Sequence, residues 1–484
     1  MNSMISIDIL SKNQLYSLHL ASLKLLEEVG VQIPSEEALK LCDQAGAEVD
    51  FKRQLVRMPQ YLVEECIKKS PHQVTLYGRD PKYKLHVGEG KVYFGTVGIG
   101  TRIINPRTSR YQTLTRADLA EITRLADALE NVDFYHVMGT PTDIPLEIGH
   151  RYAWLISFEN TEKHIFNSLI NKESAQDVLK MATIVARGED ELRKKPIITF
   201  VICLSSPLFY DKGATEALLE AASFGLPILV ESGPLAGANS PVTLAGTLVQ
   251  NNAEVLSGLV LSKLANPRSP FIYGSWARSI DMKTANVVLG GPEFALMQMC
   301  VTQLARYYNI PCAGGGMLCD AKEADAQSGC EKMLTALLPA LSGGRLIFGM
   351  GLVASETVLS YEQLVLDDET AGMVRRVLGG IDFRDETLAV DVIKKVGVRG
   401  HFMAEKHTLQ YMASELWFPK VMDRYVLDSW LRKGAVDAQQ RAREIALRKL
   451  EEHEPISLSK ETSDELKKVM KEAEKKLAHT RIKT

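Results

Sequence analysis

The chain has 484 residues, 45% of them hydrophobic, and a mean hydropathy near zero, so we expect a large globular protein with a sizeable core. Its formal net charge is −3 and the charges are mixed, which argues against a nucleic-acid stripe or a membrane-surface patch. The N-terminal residues lack the basic start and apolar core of a signal peptide, and no uncharged apolar run approaches transmembrane length. Seven cysteines, an odd number without framework spacing, indicate reduced thiols and a cytoplasmic protein.

Residues 1–115 are predicted to form an α+β extension that packs on the next domain. Up to about Lys69, leucines recur at helical spacing, and Ser11 is a candidate N-cap for the first helix. Short β segments separated by turn residues follow, from HQVTLYGRD to TRIINPRTSRYQTLT.

Residues 116–370 alternate amphipathic helices with short, almost fully apolar strands, which is typical of a parallel sheet buried on both faces. Eight candidate strands favour a closed (β/α)₈ TIM barrel of the α/β class over an open doubly wound sheet. No G-x-G-x-x-G motif follows the first strand, which argues against a dinucleotide-binding fold. The candidate strands are VDFYHVMG, KHIFNSL, PIITFVICLSS, LPILVES, PFIYGSW, IPCAGG, RLIFGMG and, as the eighth, VLSYEQLVLD.

Residues 371–484 are predicted to be helical additions to the barrel. They end in a charged helix, KETSDELKKVMKEAEKKLAHTRIKT, expected on the surface or against another subunit. The helical additions at both ends of the chain suggest a homo-oligomer.

The segment Pro311–Lys332 is the strongest candidate for a functional loop. A short apolar strand ends in Gly314, Gly315 and Gly316, and a polar loop with Asp320 precedes the next helix. Glycines let the backbone approach a ligand closely and leave N–H groups free to point at it. The same pattern also fits an ordinary turn between strand and helix, and composition does not decide between the two.

Active sites of barrels of this type are built at the C-terminal ends of the strands. The residues there and in the loop before the first helix are rich in aromatic side chains, which attract a quaternary ammonium by roughly 0.5–2 kcal/mol per desolvated ring. Alternatively, any one ring simply fills the barrel, and the alternating direction of strand residues leaves this open. The candidate rings are Tyr93, Phe94, Tyr135, Tyr273, Trp276 and Phe348, and His136 lies at a strand end beside Tyr135.

Few titratable residues suggest a catalytic or metal site. Cys312, Cys319 and Cys330 match no tight zinc motif, although zinc ligands contributed by separate strands remain an alternative. Glu231 ends a clean strand and is a candidate pocket carboxylate, or else a solvated loop acid. No Ser-His-Asp arrangement or phosphate loop stands out.

Several segments resemble the trimethylamine methyltransferase family, whose members are similar (β/α)₈ barrels. The resemblance covers nearly the whole chain and includes GGGMLCDAKEADAQSGCEK, SYEQLVLDDETAGMVRRVLGGI and GVRGHFMAEKHTLQYMASELWFP. It implies transfer of a methyl group from an amine to Co(I) of a separate corrinoid protein. No tightly bound cofactor is expected, because the corrinoid (cobalamin) belongs to that partner.

Archaeal trimethylamine enzymes carry pyrrolysine in or near the segment that matches Leu318–Lys322. This chain has only standard residues there, so it resembles the non-pyrrolysine branch, which includes glycine betaine methyltransferase. A quaternary ammonium leaves as a neutral amine and needs no special electrophile, so the enzyme's task becomes positioning and desolvation.

The resemblance and the residues together predict a quaternary amine:corrinoid protein methyltransferase, with glycine betaine as the first candidate substrate. We expect Tyr93, Phe94, Trp276 and Phe348 to surround the cation. Gly314–Gly316, with His136 or Arg102, are expected to bind the substrate carboxylate, and Asp320 or Glu231 to bias the site toward a cation. The alternatives are a zinc-dependent methanol or methylthiol methyltransferase and a non-catalytic quaternary-amine binder.

Overall fold

The fold is built on a closed barrel of parallel strands, seen in a computed structural model that describes residues 6–88 and 90–483. Within these ranges no helix is long and apolar enough to span a membrane.

The residues before the barrel form the three predicted helices and two small antiparallel sheets, one of which, formed by residues 31–57, lies within the region predicted to be helical. The predicted N-cap is confirmed, because the Ser11 hydroxyl accepts the Gln14 N–H at the start of the first helix. These elements are α1 (Lys12–Glu28), α2 (Glu36–Gln44), α3 (Gln60–Lys68), β1 (Val31–Gln32), β2 (Glu48–Asp50), β3 (Leu55–Arg57), β4 (Val74–Tyr77) and β5 (Lys84–Val87).

The remaining strands form the barrel and two small sheets, the latter built from segments that follow barrel strands. The strands are β6 (Tyr93–Thr96), β7 (Arg102–Ile104), β8 (Tyr111–Thr113), β9 (Phe134–His136), β10 (His164–Ser168), β11 (Ile198–Leu204), β12 (Ile228–Ser232), β13 (Leu235–Ala236), β14 (Phe271–Ser275), β15 (Arg278–Ile280), β16 (Val287–Val288), β17 (Cys312–Gly315), β18 (Leu346–Met350), β19 (Leu352–Val353) and β20 (Val358–Ser360).

Eight parallel strands close the barrel in the order β6, β9, β10, β11, β12, β14, β17 and β18, and β18 pairs back to β6. The predicted (β/α)₈ barrel is therefore confirmed. The segments between the strands cross over through helices, and the strand residues are buried from both sides, as their apolar sequences indicate.

The prediction for the eighth strand is wrong. Tyr93–Thr96 takes that place, between β18 and β9, so the barrel begins ahead of the boundary predicted at residue 116. The apolar run VLSYEQLVLD instead supplies β20, in a small sheet, and the first turns of a long helix, Tyr361–Leu378.

Helices surround the barrel and continue to the end of the chain. They are α4 (Arg116–Ala128), α5 (Leu146–Asn160), α6 (Lys172–Ala186), α7 (Glu189–Lys194), α8 (Lys212–Phe224), α9 (Leu244–Ala265), α10 (Pro292–Tyr308), α11 (Ala326–Leu341), α12 (Tyr361–Leu378), α13 (Asp385–Leu388), α14 (Val390–Val396), α15 (Lys406–Glu415), α16 (Leu427–Arg432), α17 (Ala438–Glu452) and α18 (Lys460–Lys483).

The small sheets lie at the C-terminal end of the barrel strands. One is formed by β19, β20, β7 and β8, and the other by β13, β15 and β16. Each of these strands follows a barrel strand in the chain, and Arg278 of β15 and Glu356 of the turn between β19 and β20 line a cavity there.

Candidate functional site

A cavity of about 230 Å³ opens at the C-terminal end of the barrel strands. Its lining comes from residues at or just after six of the eight strand ends, together with the turn after β19. The lining residues are Val97, Gly98, Ile99, His136, Ser168, Val201, Cys203, Leu204, Glu231, Gly233, Trp276, Arg278 and Glu356. This is where a (β/α)₈ enzyme holds its active site.

Glu231 and Trp276 form the polar centre of the cavity wall. The Trp276 indole Nε1–H donates to Glu231 Oε2 at 2.6 Å. Burial raises the pKa of Glu231 to about 8, against the opposing effect of the hydrogen bond from Trp276. Near neutral pH the protonated and the ionised form of this carboxyl are therefore both populated.

The glycine run supports Trp276 by its lack of side chains. A Cβ at Gly315 would stand 2.7 Å from Phe294 Cζ and 2.8 Å from Trp276 Cζ3, closer than real contacts allow. A Cβ at Gly314 would meet only ordinary contacts, the nearest at 3.5 Å. The Gly316 N–H donates to the Phe348 carbonyl at 2.9 Å, so barrel pairing uses this donor. Gly314 and Gly315 likewise lie within a strand that has a neighbour on each side.

His136 lies at the end of β9 and contributes a neutral imidazole to the cavity. Burial lowers the pKa of His136 to about 4, and its Nδ1 lies 3.1 Å from the Val137 carbonyl. Phe348 packs beneath it, edge to face, with ring centroids 5.7 Å apart. Phe348 also contacts Phe134 and Phe166 inside the barrel, so its ring belongs to the core below the cavity.

Cys203, in β11, reaches the cavity beside Glu231. Its Sγ lies 3.9 Å from Glu231 Oε2, and the thiol is accessible from the cavity. The surrounding protein nevertheless removes most of its solvation, which raises the pKa of the Cys203 thiol well above its usual range. We expect a neutral thiol here, and therefore a weak nucleophile.

Arg278 and Glu356 add a guanidinium and a second carboxyl to the cavity lining. Arg278 Nη1 donates to the Trp276 carbonyl at 3.0 Å, whereas its Nε is buried and has no hydrogen-bond partner among the described residues. Glu356 Oε1 is also buried without such a partner. Burial raises the pKa of Glu356 to about 7, against the effects of Arg278 and Lys332.

Asp320 lies beside the cavity and organises its wall. Its carboxylate accepts hydrogen bonds from the backbone N–H groups of Leu289 and Gly290 and from the Ser355 hydroxyl, the last at 2.7 Å. These partners fully engage the carboxylate, and Asp320 does not line the cavity. Its hydrogen bond with Ser355 connects Asp320 to the residue next to Glu356, which does line the cavity.

Three further candidates, Tyr93, Phe94 and Arg102, do not line the cavity. Tyr93 begins β6, and its hydroxyl accepts the His86 N–H at 3.0 Å. The Phe94 ring lies under Arg375 of α12, with 5.5 Å from Cζ to the ring centroid, on the outer side of the barrel. Arg102 is exposed at the start of β7.

Glu254 of helix α9 fixes two of the strand ends from behind. Its carboxylate accepts hydrogen bonds from the hydroxyls of Ser206 and Ser232 and from the Leu208 N–H. Ser232 follows Glu231 directly, so this buried carboxylate holds the backbone that presents Glu231 to the cavity. Within residues 6–88 and 90–483, no group of three or more His, Cys, Asp or Glu side chains is arranged to hold a metal ion.

Comparison with known proteins identifies the family. A family profile, trimethylamine methyltransferase (MTTB), matches residues 1–478. Trimethylamine methyltransferase MttB of Desulfitobacterium hafniense is 40% identical over 464 residues, covering 96% of this chain and 93% of that protein. The chain belongs to the trimethylamine methyltransferase family. A second relative from Desulfitobacterium hafniense, a glycine betaine methyltransferase, is 34% identical over 437 residues and covers 90% of each chain.

A solved structure agrees with the family assignment at the level of the fold. The crystal structure of a hydroxylamine MtmB complex superposes with a TM-score of 0.50 at 14% identity, covering 93% of this chain and 96% of that one. At this identity the likeness concerns the barrel and its arrangement only.

Among the cavity residues that sequence reasoning did not identify, Cys203, Arg278 and Glu356 are the three with a thiol or a charged group. Cys203 and Arg278 had a usable signal, since one lies near the end of a predicted strand and the other two residues after Trp276. Glu356 had none, because it follows a short strand outside the barrel and its position depends on contacts with the loop at 319–321.

Proposed function

We propose that this protein transfers a methyl group from a quaternary amine, glycine betaine first, to the Co(I) of a separate corrinoid protein and releases dimethylglycine. The family membership supports methyl transfer from an amine. The relatives are named for trimethylamine and for glycine betaine, so the content of the cavity has to decide between the two.

The environment of Arg278 is the observation that favours glycine betaine over trimethylamine as the substrate. Trimethylamine has no anionic group, whereas a betaine carries a carboxylate next to its cation. A guanidinium with a buried, unpartnered Nε–H favours a ligand that brings a carboxylate, because an unmet buried donor costs free energy until it is paired. The cavity thus combines one fixed cation with two carboxyls, Glu231 and Glu356, which suits a zwitterion.

The cation of the substrate is assigned to the side of the cavity that holds Trp276. The indole contributes cation–π attraction, and Glu231 contributes charge when it is ionised. A volume of about 230 Å³ is below the range of about 300–1,000 Å³ that is usual for drug-sized ligands, so the cavity suits a small amine.

The methyl transfer requires little acid or base catalysis. One N–CH₃ bond breaks and its electron pair stays on nitrogen, so the amine leaves neutral and takes up no proton. The corrinoid enters as a second substrate and supplies the electron pair that takes the methyl carbon. The chain's part is to hold the ammonium in the cavity, keep water away and turn one methyl toward the barrel mouth.

Access for the acceptor agrees with the position of the cavity. Ile99, which lines the cavity after β6, is 70% exposed, so the cavity communicates with the outside of the barrel mouth. A partner can therefore approach a methyl group there without passing through the core.

The test is a methyl-transfer assay. The protein is mixed with a corrinoid protein reduced to Co(I) and with glycine betaine, and methyl-Co(III) formation is followed by absorbance. We expect turnover with glycine betaine and none with trimethylamine. Proline betaine, carnitine and γ-butyrobetaine, assayed in parallel, identify the substrate that the cavity prefers. Absence of turnover with every betaine would remove the proposal.

Arg278→Gln supplies the matched variant. Loss of a charged partner for the carboxylate should raise KM for glycine betaine roughly 10- to 100-fold. Binding of tetramethylammonium, which has no carboxylate, should change little. An equal loss for both ligands would contradict the assignment of Arg278 to the carboxylate.

Two alternatives are tested by the same assay. A zinc-dependent methanol or methylthiol methyltransferase requires stoichiometric zinc, and the described residues offer no cluster for it. A non-catalytic binder would take up betaine and transfer no methyl to any corrinoid partner.

We also propose that the protein is a homo-oligomer through the segment 381–434. Helices α13–α16 contain no buried residue, and Val398 and Met403 are 97% and 89% exposed. Acidic and basic residues are nearly balanced along this segment, which suits contact with a second copy of the same surface. Light scattering should give a multiple of the 53.7 kDa chain, which Val398→Asp reduces and Ile170→Asp, at another exposed site, does not.

A further inference from the structure

The turn that carries Glu356 has an unusual backbone. Ala354, Ser355 and Glu356 have φ values of 53°, 52° and 69°, three consecutive non-glycine residues in the left-handed region. Residues with a Cβ adopt this conformation rarely, and a run of them persists only where surrounding contacts hold it. Such strain is concentrated at functional sites, which directs attention to the side chain that the turn presents.

The turn is held by the loop at 319–321. The Ala354 N–H donates to the Ala321 carbonyl at 2.6 Å, and the Ser355 N–H donates to the Cys319 carbonyl at 3.1 Å. The Ser355 hydroxyl donates to Asp320 at 2.7 Å. Asp320 is itself fixed, because its backbone N–H donates to Glu331 of helix α11 at 2.6 Å. The loop therefore sets the direction in which Glu356 leaves the backbone.

Glu356 lines the cavity, and its buried Oε1 has no hydrogen-bond partner in the part of the chain that the structure describes. Glu231 lines the same cavity, and its hydrogen bonds from Trp276 and Cys203 both involve Oε2. Arg278 lines the cavity too, but forms no ion pair with either carboxyl within the described parts of the chain. Two carboxyls thus share a small cavity with the Arg278 guanidinium, whose charge favours the ionised form of both.

We propose that Glu356 and Glu231 form a two-carboxyl seat for a quaternary ammonium, which holds at least one proton in the empty protein and releases a proton when the cation binds. Asp320 is a positioning residue for this seat, acting through Ser355. The inference rests on the proposed function and specifies how that site selects its substrate. The released proton passes to solvent, and the incoming cation takes over its role of balancing the second carboxylate.

The charged and polar groups around the two carboxyls determine how readily each carboxyl is protonated. Glu231 faces Trp276, Cys203 and Arg278, and the neutral His136 lines the same cavity. The remaining charged neighbours of Glu356 are Lys332 and Asp320. Lys332 Nζ is already committed to Asp367 at 2.8 Å.

The pKa values of the two carboxyls support retention of a proton in the empty cavity. Burial raises the pKa of Glu231 and of Glu356 to about 8 and about 7, and each is coupled to charged neighbours in the site. Two such groups titrate as a pair, so near neutral pH the pair holds more than one and fewer than two protons. A cation placed between them favours the doubly ionised pair.

The test is calorimetric titration of the full chain with glycine betaine near pH 7 in buffers that differ in ionisation enthalpy. The dependence of the measured heat on the buffer gives the number of protons released per betaine bound. We expect a net release from the wild-type protein. We expect little or none with 3,3-dimethylbutyrate, which keeps the carboxylate and replaces the nitrogen by carbon.

Glu356→Gln is the matched variant, and Glu323→Gln, at an exposed glutamate of the same barrel face, is its control. Glu356→Gln should lose most of the proton release and bind betaine about tenfold more weakly. Glu323→Gln should behave as wild type. Thermal melting of each variant verifies that it is folded, and the wild-type comparison of betaine with its carbon analogue stands without any variant.

The outcomes separate this inference from the proposed function. Methyl transfer from betaine without proton release, or equal release with 3,3-dimethylbutyrate, overturns the inference alone. Retained release in a folded Glu356→Gln protein overturns it as well. Betaine binding with proton release but no methyl transfer to Co(I) overturns the proposed function alone. No binding of any quaternary amine overturns both.

Discussion

The indole Nε1–H of Trp276 donates to Glu231 Oε2 at 2.6 Å. This hydrogen bond joins the Trp276 ring to the carboxyl at the centre of the cavity wall. The bond fixes the orientation of the indole and also favours the ionised form of Glu231. Aromatic and electrostatic attraction for a cation are therefore coupled through one contact.

Trp276→Phe tests this coupling. The variant keeps an aromatic ring but removes the N–H donor, so we expect the pKa of Glu231 to rise above about 8. Betaine binding should weaken roughly 10- to 100-fold near neutral pH and recover partly at higher pH, where Glu231 ionises. The dependence of Kd on pH checks this. Trp417→Phe, outside the cavity, is the control, and parallel pH profiles for the two variants would contradict the argument.

Gly315→Ala tests the support beneath the indole. A Cβ there would stand 2.8 Å from Trp276 Cζ3 and 2.7 Å from Phe294 Cζ, so one ring must move. Gly314→Ala, one residue earlier, meets nothing nearer than 3.5 Å and is the matched control. We expect betaine binding to fall at least about tenfold, as for the loss of a charged hydrogen bond, in Gly315→Ala and to stay near wild type in Gly314→Ala. Similar affinities in both variants would show that Trp276 tolerates the displacement.

The sequence pattern predicted the barrel, but it did not identify the strand that closes the barrel. Alternating helices and apolar strands predicted seven of the eight strands. The eighth, Tyr93–Thr96, lies among the predicted short β segments, but only its pairing with β18 and β9, which joins residues far apart in the chain, assigns it to the barrel. The run VLSYEQLVLD looked more like a strand because it is apolar, yet most of it is helical and packs inside the protein.

The strand-end rule predicted the neighbourhood of the site and not the direction of every side chain. His136, Glu231 and Trp276 lie at the cavity, whereas Phe94 faces outward and Phe348 lies in the core below. Residues along a strand alternate in direction, and the register that decides between the two faces depends on neighbouring strands.

Glu231→Gln tests how the burial of the Glu231 carboxyl affects the stability of the protein. Between its ordinary pKa of 4.5 and the raised pKa of about 8, Glu231 in the folded protein holds a proton that the unfolded chain has lost. The folded state then binds more protons, so stability falls as pH rises through this window. Gln removes this dependence and can still accept the Trp276 N–H. We expect the Tm difference between variant and wild type to grow in favour of the variant from pH 5 to pH 8. A difference that does not change with pH would contradict a raised pKa.

Ser355→Ala tests whether Asp320 acts on the cavity through the strained turn. The variant removes the 2.7 Å hydrogen bond to Asp320 and leaves the Asp320 contacts with Leu289 and Gly290 in place. A neutral donor lost from a carboxylate should loosen the turn and misdirect Glu356, so we expect KM for betaine to rise about tenfold with little change in kcat.

Ser109→Ala is the matched control for this prediction. Ser109 also has a left-handed backbone, with φ of 55°, but it is exposed and does not line the cavity. It should leave both constants unchanged. Proton release on betaine binding separates positioning from general destabilisation, because a misdirected Glu356 releases less proton whereas a merely less stable protein releases the same amount at a lower Tm. Unchanged release together with a raised KM would therefore remove Asp320 from its positioning role.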